Sequence, residues 1–294
     1  METELITLKT EDGVINDGYI IRNNSKKIVI SIHGMTSNCF KKRDKIISNL
    51  LVKNKFSYMG FNNRGSEIVK FIKKEIDGIE KSIIAGTSIE DPRDGYYDIK
   101  SAVLKAIEYG YEDIYLQGHS LGSTKIVYFY NKLKEEDSEL LNYIKGIVLL
   151  SLIDIPRAIK VYLNENFQDM LELANQKVLE KEYLAIMPKE CFIYPISAKT
   201  FLIYARDNED INFAQYNNEK FEFKELNNIK VPIFMRWGTS HELIEQQPEK
   251  LVKMMNNKIK NNKKNINYVK NANHNYVGKE EILAKQINDF LINI

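Results

Sequence analysis

The chain has 294 residues, enough to bury one large core, and 42 Lys plus Arg against 40 Asp plus Glu leave a formal net charge of +2. So even a balance gives bulk electrostatics no grip on nucleic acid or an anionic membrane, and one enzyme-sized domain is expected. No stretch of about 18 apolar residues occurs, and Glu2, Glu4, Glu11 and Asp12 stand where a targeting segment would be basic and then apolar. The chain therefore reads as soluble and cytoplasmic. Cys39 and Cys191 lie far apart without metal-ligand spacing and read as reduced and packed.

Residues 4–9 and 14–22 read as two opening strands joined by a turn at Glu11-Asp12-Gly13, and 27–32 is an apolar run typical of a strand buried on both faces. Ile46, Ile47, Leu50 and Leu51 recur at helical spacing, and 56–61 is the next strand. Ile99, Ala102, Val103, Ala106 and Ile107 stripe a second helix, with Gly110 just beyond its end. A strand at 113–117, a helix from about 121 to 132 and a strand at 146–151 follow. Near the other end come a strand at 231–237, a helix opened by Pro248, a short strand at 266–269 and a last helix striped by Ile282, Leu283, Ile287, Phe290 and Leu291. This alternation predicts an α/β fold with a mostly parallel central sheet and helices on both faces.

The alternation stops over residues 152–226, which include helix-favouring stretches at 155–163 and 167–184 and prolines at 188 and 195. A βα repeat needs roughly 30 residues, so the surplus is expected to form a mainly helical cap, or lid, inserted into a core built from 1–151 and 227–294. Tyr162, Phe167, Tyr183, Phe192 and Tyr194 are candidates for a pocket wall, although core packing would account for most of them.

Residues 118–122, Gly-His-Ser-Leu-Gly, set Ser120 between two glycines, directly after a strand pattern and before a helix pattern. A serine that must attack a carbonyl stands at the tip of such a turn, where the backbone packs so closely that only glycine fits at Gly118 and Gly122. A serine hydroxyl needs a base of pKa near 7, itself oriented by a partner. The chain has 4 histidines: His33, His119, His241 and His274. His119 reads as a packing residue whose ring points away from Ser120, and His33 as a brace for the loop at Gly34-Met35.

Four runs in order resemble the α/β-hydrolase superfamily: Ile32-His33-Gly34-Met35, Asn63-Arg64-Gly65-Ser66, Gly118-His119-Ser120-Leu121-Gly122 and Asn273-His274-Asn275. Residues 14–151 and 228–294 carry the resemblance, and Gly86-Thr87 with Glu90-Asp91 looks like a small esterase branch related to siderophore and feruloyl esterases. The resemblance implies the α/β-hydrolase fold, Ser120 as nucleophile and His274 as general base. It also implies an oxyanion hole built from the amides of Leu121, at a helix N-terminus, and Met35, beside the permissive Gly34.

The acid should follow the strand at 231–237. The commonest family position, three residues after Gly238, holds His241 here; Glu242 comes next and Glu245 three residues later. Glu242 is the choice, because the extra methylene of glutamate can absorb a one-residue offset; Glu245 and, farther off, Asp210 are the alternatives.

The expected activity is hydrolysis of a carboxylic ester or thioester of a small to medium acyl substrate through an acyl-enzyme, with no cofactor and no metal. An acyltransferase or peptidase on the same triad is the alternative, and a non-catalytic hydrolase-like binder the other. Dehalogenation would want a carboxylate at position 120, and no histidine and carboxylate cluster has metal-ligand spacing. The sequence leaves the acyl and leaving groups and the oligomeric state open.

Overall fold

A computed structural model describes residues 2–294; residue 1, the first of the expected core, lies outside the described residues. The strands are β1 (Thr3–Lys9), β2 (Val14–Ile21), β3 (Lys27–Ile32), β4 (Ser57–Phe61), β5 (Lys70–Ile76), β6 (Ile79–Ala85), β7 (Asp113–His119), β8 (Ile144–Leu150), β9 (Ile233–Gly238) and β10 (Lys264–Val269). They form a sheet in the order β10-β9-β8-β7-β3-β4-β2-β5-β6, with β1 paired to β2 beside this path. From β4 to β10 every pairing is parallel, and the N-terminal strands and the β5–β6 hairpin add antiparallel pairings.

The continuous apolar runs fill both faces of this sheet. Ile28, Ile30, Ile114, Leu116, Ile147, Leu149, Ile233 and Met235 point to one side, where they meet α2 (Gly95–Glu108), α3 (Leu121–Glu135) and α8 (Pro248–Lys258). Val29, Tyr115, Val148, Leu150 and Phe234 point to the other, against α1 (Lys42–Lys53) and α9 (Glu280–Ile292). Successive strand residues face opposite sides, so a strand covered on both must be apolar throughout. The expected α/β class and mostly parallel sheet are observed.

The hairpin of β5 and β6 is absent from the sequence reading. It turns at Asp77-Gly78, both with positive φ (54° and 77°), the backbone that suits a two-residue hairpin loop.

Between β8 and β9 lie α4 (Ile155–Leu163), α5 (Phe167–Leu179), α6 (Ala198–Ala205) and α7 (Lys224–Asn228). Apolar side chains from Ile153 to Ile211 form their own cluster, which rests on Leu121 and Met35. From Phe213 to Leu226 the apolar residues instead join the main core. Among the described residues no helix is long and apolar enough to cross a membrane.

Candidate active site

Ser120 sits between β7 and α3 with φ 55° and ψ −125°, a backbone that an L-residue adopts only under constraint. The constraint is packing. A Cβ on Gly118 would lie 2.6 Å from the Gly122 carbonyl, and one on Gly122 would lie 2.2 Å from the Ile32 carbonyl oxygen. Ser120 N–H donates to Leu150 O at 2.8 Å, tying the turn to β8. Leu121 is the first residue of α3, so its amide has no carbonyl one turn earlier to accept it and lies at the positive end of the helix dipole.

Gly34 presses against this turn: a Cβ there would lie 2.8 Å from His119 O and 2.9 Å from Ser120 Cβ. His33 braces it. Asn63 N–H donates to His33 Nε2 at 3.1 Å, which leaves the proton on Nδ1 to donate to Gly34 O at 2.9 Å. Burial pushes the imidazole pKa down to about 3, so the ring stays neutral. The Gly34 carbonyl and the Met35 amide belong to one planar trans peptide, so holding the carbonyl fixes the amide pointing the opposite way.

The other half of the site hangs from β9 and β10. Beyond Gly238, His241 takes φ 50° and turns the chain so that the Glu242 side chain folds back beneath the strand end. There Glu242 Oε2 accepts Gly238 N–H at 2.7 Å and the Ser151 hydroxyl at 3.0 Å, while Oε1 is bonded to His274 Nδ1. The Glu242 side chain is 2% exposed and that of His274 14%. The two loops are pinned to each other: Ser240 N–H donates to Ala272 O at 2.9 Å and Asn271 N–H to Thr239 Oγ1 at 2.8 Å.

His119 does more than pack. Its Nε2–H donates to the His274 carbonyl at 2.7 Å, and the two rings lie 4.9 Å apart between centroids, so the residue beside Ser120 holds the loop that carries His274. Burial, reinforced by the nearby Arg43 charge, drives its pKa well below the ordinary histidine value, which keeps that donor neutral. Among the described residues no hydrogen bond joins Ser120 Oγ to His274; the bond through His119 makes the link, and such contacts commonly tighten only around substrate.

The model for the family described as lecithin:cholesterol acyltransferase matches residues 87–292, more than half of the chain. The chain belongs to this family. Among solved structures, it is similar to Est1E from Butyrivibrio proteoclasticus with bound ferulic acid (15% identity, 98% of each chain covered, TM-score 0.64). It is also similar to the α/β hydrolase GrgF from a Penicillium species (15% identity, 99% of this chain and 98% of that one, TM-score 0.68). A third is carboxylesterase CesB from Bacillus subtilis (16% identity, 100% of this chain and 93% of that one, TM-score 0.58). No curated protein matches the chain. At these identities the structural likeness establishes the α/β-hydrolase fold.

The residues weighed against Glu242 lie elsewhere. Glu245 makes a two-pronged bond with Arg157 at 2.6 and 2.8 Å, and Asp210 faces Arg93 at 3.3 Å. Ser151 was missed in the sequence. Buried at the end of β8 with φ 49°, it lies within reach of Glu242 Oε2, Tyr276 Oη and the His274 carbonyl. Tyr276 gives its own proton to Arg236 O at 2.8 Å, leaving it as an acceptor towards Ser151.

Beside Glu242 lies a cavity of about 300 Å³ between α4 and the loop at 242–246, walled by Ala158, Val161, Tyr162, Tyr216, Leu243 and Ile244. Of the aromatics proposed for a pocket wall, Tyr162 lines it, whereas Phe167 and Tyr194 are buried in the cluster beneath α4. Asp154, also on the wall, caps α4 through Arg157 N–H at 3.1 Å and accepts Tyr216 N–H at 3.2 Å. Burial raises its pKa to about 6 against those two bonds. Among the described residues no group of three or more His, Cys, Asp or Glu could hold a metal ion.

Proposed function

We propose that this chain is a serine hydrolase that cleaves a carboxylic ester or thioester of a small to medium acyl substrate through an acyl-enzyme. The observation that carries the reading is the buried pairing of His274 Nδ1 with the Glu242 carboxylate, on a loop held by the neighbour of a strained serine. Ser120 Oγ attacks the carbonyl carbon while His274 Nε2 takes its proton, and Glu242 stabilises the imidazolium that forms. The amides of Leu121 and Met35 receive the oxyanion. Collapse expels the alcohol or thiol, protonated by His274, and water repeats the sequence to release the acid.

Residues 152–226 act in this reading as a cap over Ser120, supported by the contact of their apolar cluster with Leu121 and Met35. The cavity of about 300 Å³ beside Glu242, with its largely apolar wall, is room for an apolar substituent. The buried, unpaired Cys39 and Cys191 fit a reducing compartment such as the cytoplasm.

The family description favours a second reading, in which an alcohol takes the place of water as acyl acceptor. Hydrolysis of p-nitrophenyl esters and acyl thioesters from acetyl to decanoyl, with and without an added alcohol, tests both. Release of free acid from a subset of these supports the hydrolase; product ester formed at the expense of acid supports the transferase. Turnover of none of them by freshly folded protein contradicts the proposal.

A further inference from the structure

Lys125 and Glu90 form an ion pair at 2.6 Å with side chains 2% and 1% exposed, one and a half turns along α3 from Ser120. Two glycines make room for it: a Cβ on Gly65 would lie 1.8 Å from Glu90 Oε2, and one on Gly95 would lie 2.9 Å from Lys125 Cδ. Burying two charges costs more solvation than their attraction commonly returns, and an apolar pair of the same volume would often serve stability as well or better. The pair is also connected in a definite direction. Lys125 Nζ donates to Asn63 Oδ1 at 3.1 Å, Asn63 N–H donates to His33 Nε2, and His33 Nδ1–H holds the Gly34 carbonyl.

On its other side Glu90 is held by the segment between β8 and β9. Tyr204 Oη, on α6, donates to Glu90 Oε1 at 3.1 Å, Thr200 Oγ1 donates to the Glu90 carbonyl at 3.0 Å, and Thr87 Oγ1 adds a bond to Oε1 at 3.1 Å. One carboxylate is thus shared between α6 and the lysine that leads to Gly34.

We propose that Glu90 and Lys125 are positioning residues that set the Gly34–Met35 peptide through Asn63 and His33, and that they couple its orientation to the docking of α6. Neither touches substrate. Their effect on turnover rests on the hydrolase reading above; their effect on the Met35 amide does not.

The test uses full-length protein labelled with ¹⁵N-methionine, the Met35 amide signal being identified by its loss in Met35→Leu. In the double variant Glu90→Gln/Lys125→Met, which keeps volume and removes both charges, the Met35 amide signal should move or broaden while those of the strand residues Met59 and Met235 stay in place. On a p-nitrophenyl ester, kcat per folded molecule should fall roughly 10- to 100-fold, a part of the loss seen when an oxyanion donor is removed outright, with KM changed less than about threefold. Tyr204→Phe, which deletes one bond to Glu90 and no charge, should shift the same signal in the same direction by less, and it carries the test alone if the double variant does not fold. An unmoved Met35 signal, or a lower melting temperature with kcat per folded molecule intact, would overturn the proposal and leave the pair structural. If wild-type protein turns over no ester, the hydrolase reading falls, and the Met35 signal still decides whether the pair holds the loop.

Discussion

The Ser151 hydroxyl lies 3.0 Å from Glu242 Oε2, so the residue that follows β8 supplies a donor to the carboxylate that holds His274. A hydroxyl has one proton to give, and a carboxylate is a stronger acceptor than the Tyr276 oxygen, which lies at the same 3.0 Å. Ser151→Ala removes that donor while Gly238 N–H remains on the same oxygen. The loss of one charge-assisted bond, about 1.5 to 3 kcal/mol, should lower kcat roughly 10- to 150-fold with little change in KM. Steady-state kinetics on a p-nitrophenyl ester measure it, and an unchanged kcat would show that Glu242 needs no help from β8.

Glu242→Gln keeps the shape of the side chain and removes the charge that, in the proposed mechanism, would stabilise an imidazolium on His274. Turnover should drop by about two to four decades, on the order of 3 to 5 kcal/mol. Glu245→Gln weakens only exposed bonds to Arg157 and Asn217, and among the described residues the exposed His241 side chain makes no hydrogen bond to the pair, so Glu245→Gln and His241→Gln should stay within about twofold of wild type. Equal activity of all three variants would remove Glu242 from the triad.

The raised pKa of Asp154 predicts a pH-dependent stability. Its folded value, about 6, exceeds the ordinary 3.8, so the folded state binds the proton more tightly and stability from this group is lost as pH rises from about 4 through 6. At neutral pH the ionised form should cost roughly 2 to 3 kcal/mol. Asn can still cap α4 and never ionises, so the melting temperature of Asp154→Asn relative to wild type should climb by several degrees between pH 4 and pH 7. A difference that stays flat with pH would mean that Asp154 is solvated in the folded protein.

Filling the cavity beside Glu242 should change which acyl chain is taken. Val161→Trp puts a large ring on the wall that α4 contributes. The ratio of kcat/KM for the p-nitrophenyl decanoate to that for the acetate should fall by about tenfold or more, equivalent to at least about 1.4 kcal/mol of lost apolar burial. A uniform fall on both esters would point away from a chain-binding role for this cavity.

Most of the scaffold was legible because buried strands leave continuous apolar runs and their helices leave single stripes. β3 over Lys27–Ile32 and α4 over Ile155–Leu163 appear with the bounds the sequence suggested. The β5–β6 hairpin escaped because one face is open, Phe71 being 74% exposed and its cross-strand partner Ile84 57%, while the other buries only a small cluster of Ile72 and Ala85 with Val14, too little to impose a clear alternation. Its one local signal was the Asp77-Gly78 dipeptide. In the site, a tight turn writes itself into sequence through the glycines it demands, which is why Ser120 stood out. Ser151 and Lys125 left no such mark, since a serine following a strand and a lysine within a helix look ordinary until the fold supplies Glu242 and Glu90. The hydrogen bond that His119 makes in addition to its packing escaped for the same reason: its partner is a backbone carbonyl 155 positions away.

The most direct test of the account is covalent labelling of Ser120. A fluorophosphonate adds to a serine only where a base and an oxyanion hole activate it, so wild-type protein should take up one label per chain, recovered on the peptide containing Gly118 to Gly122. Ser120→Ala should fold with an unchanged melting profile, take up no label and lose about three or more decades of esterase activity. Undiminished labelling or hydrolysis in that variant would contradict the assignment of Ser120 as the nucleophile.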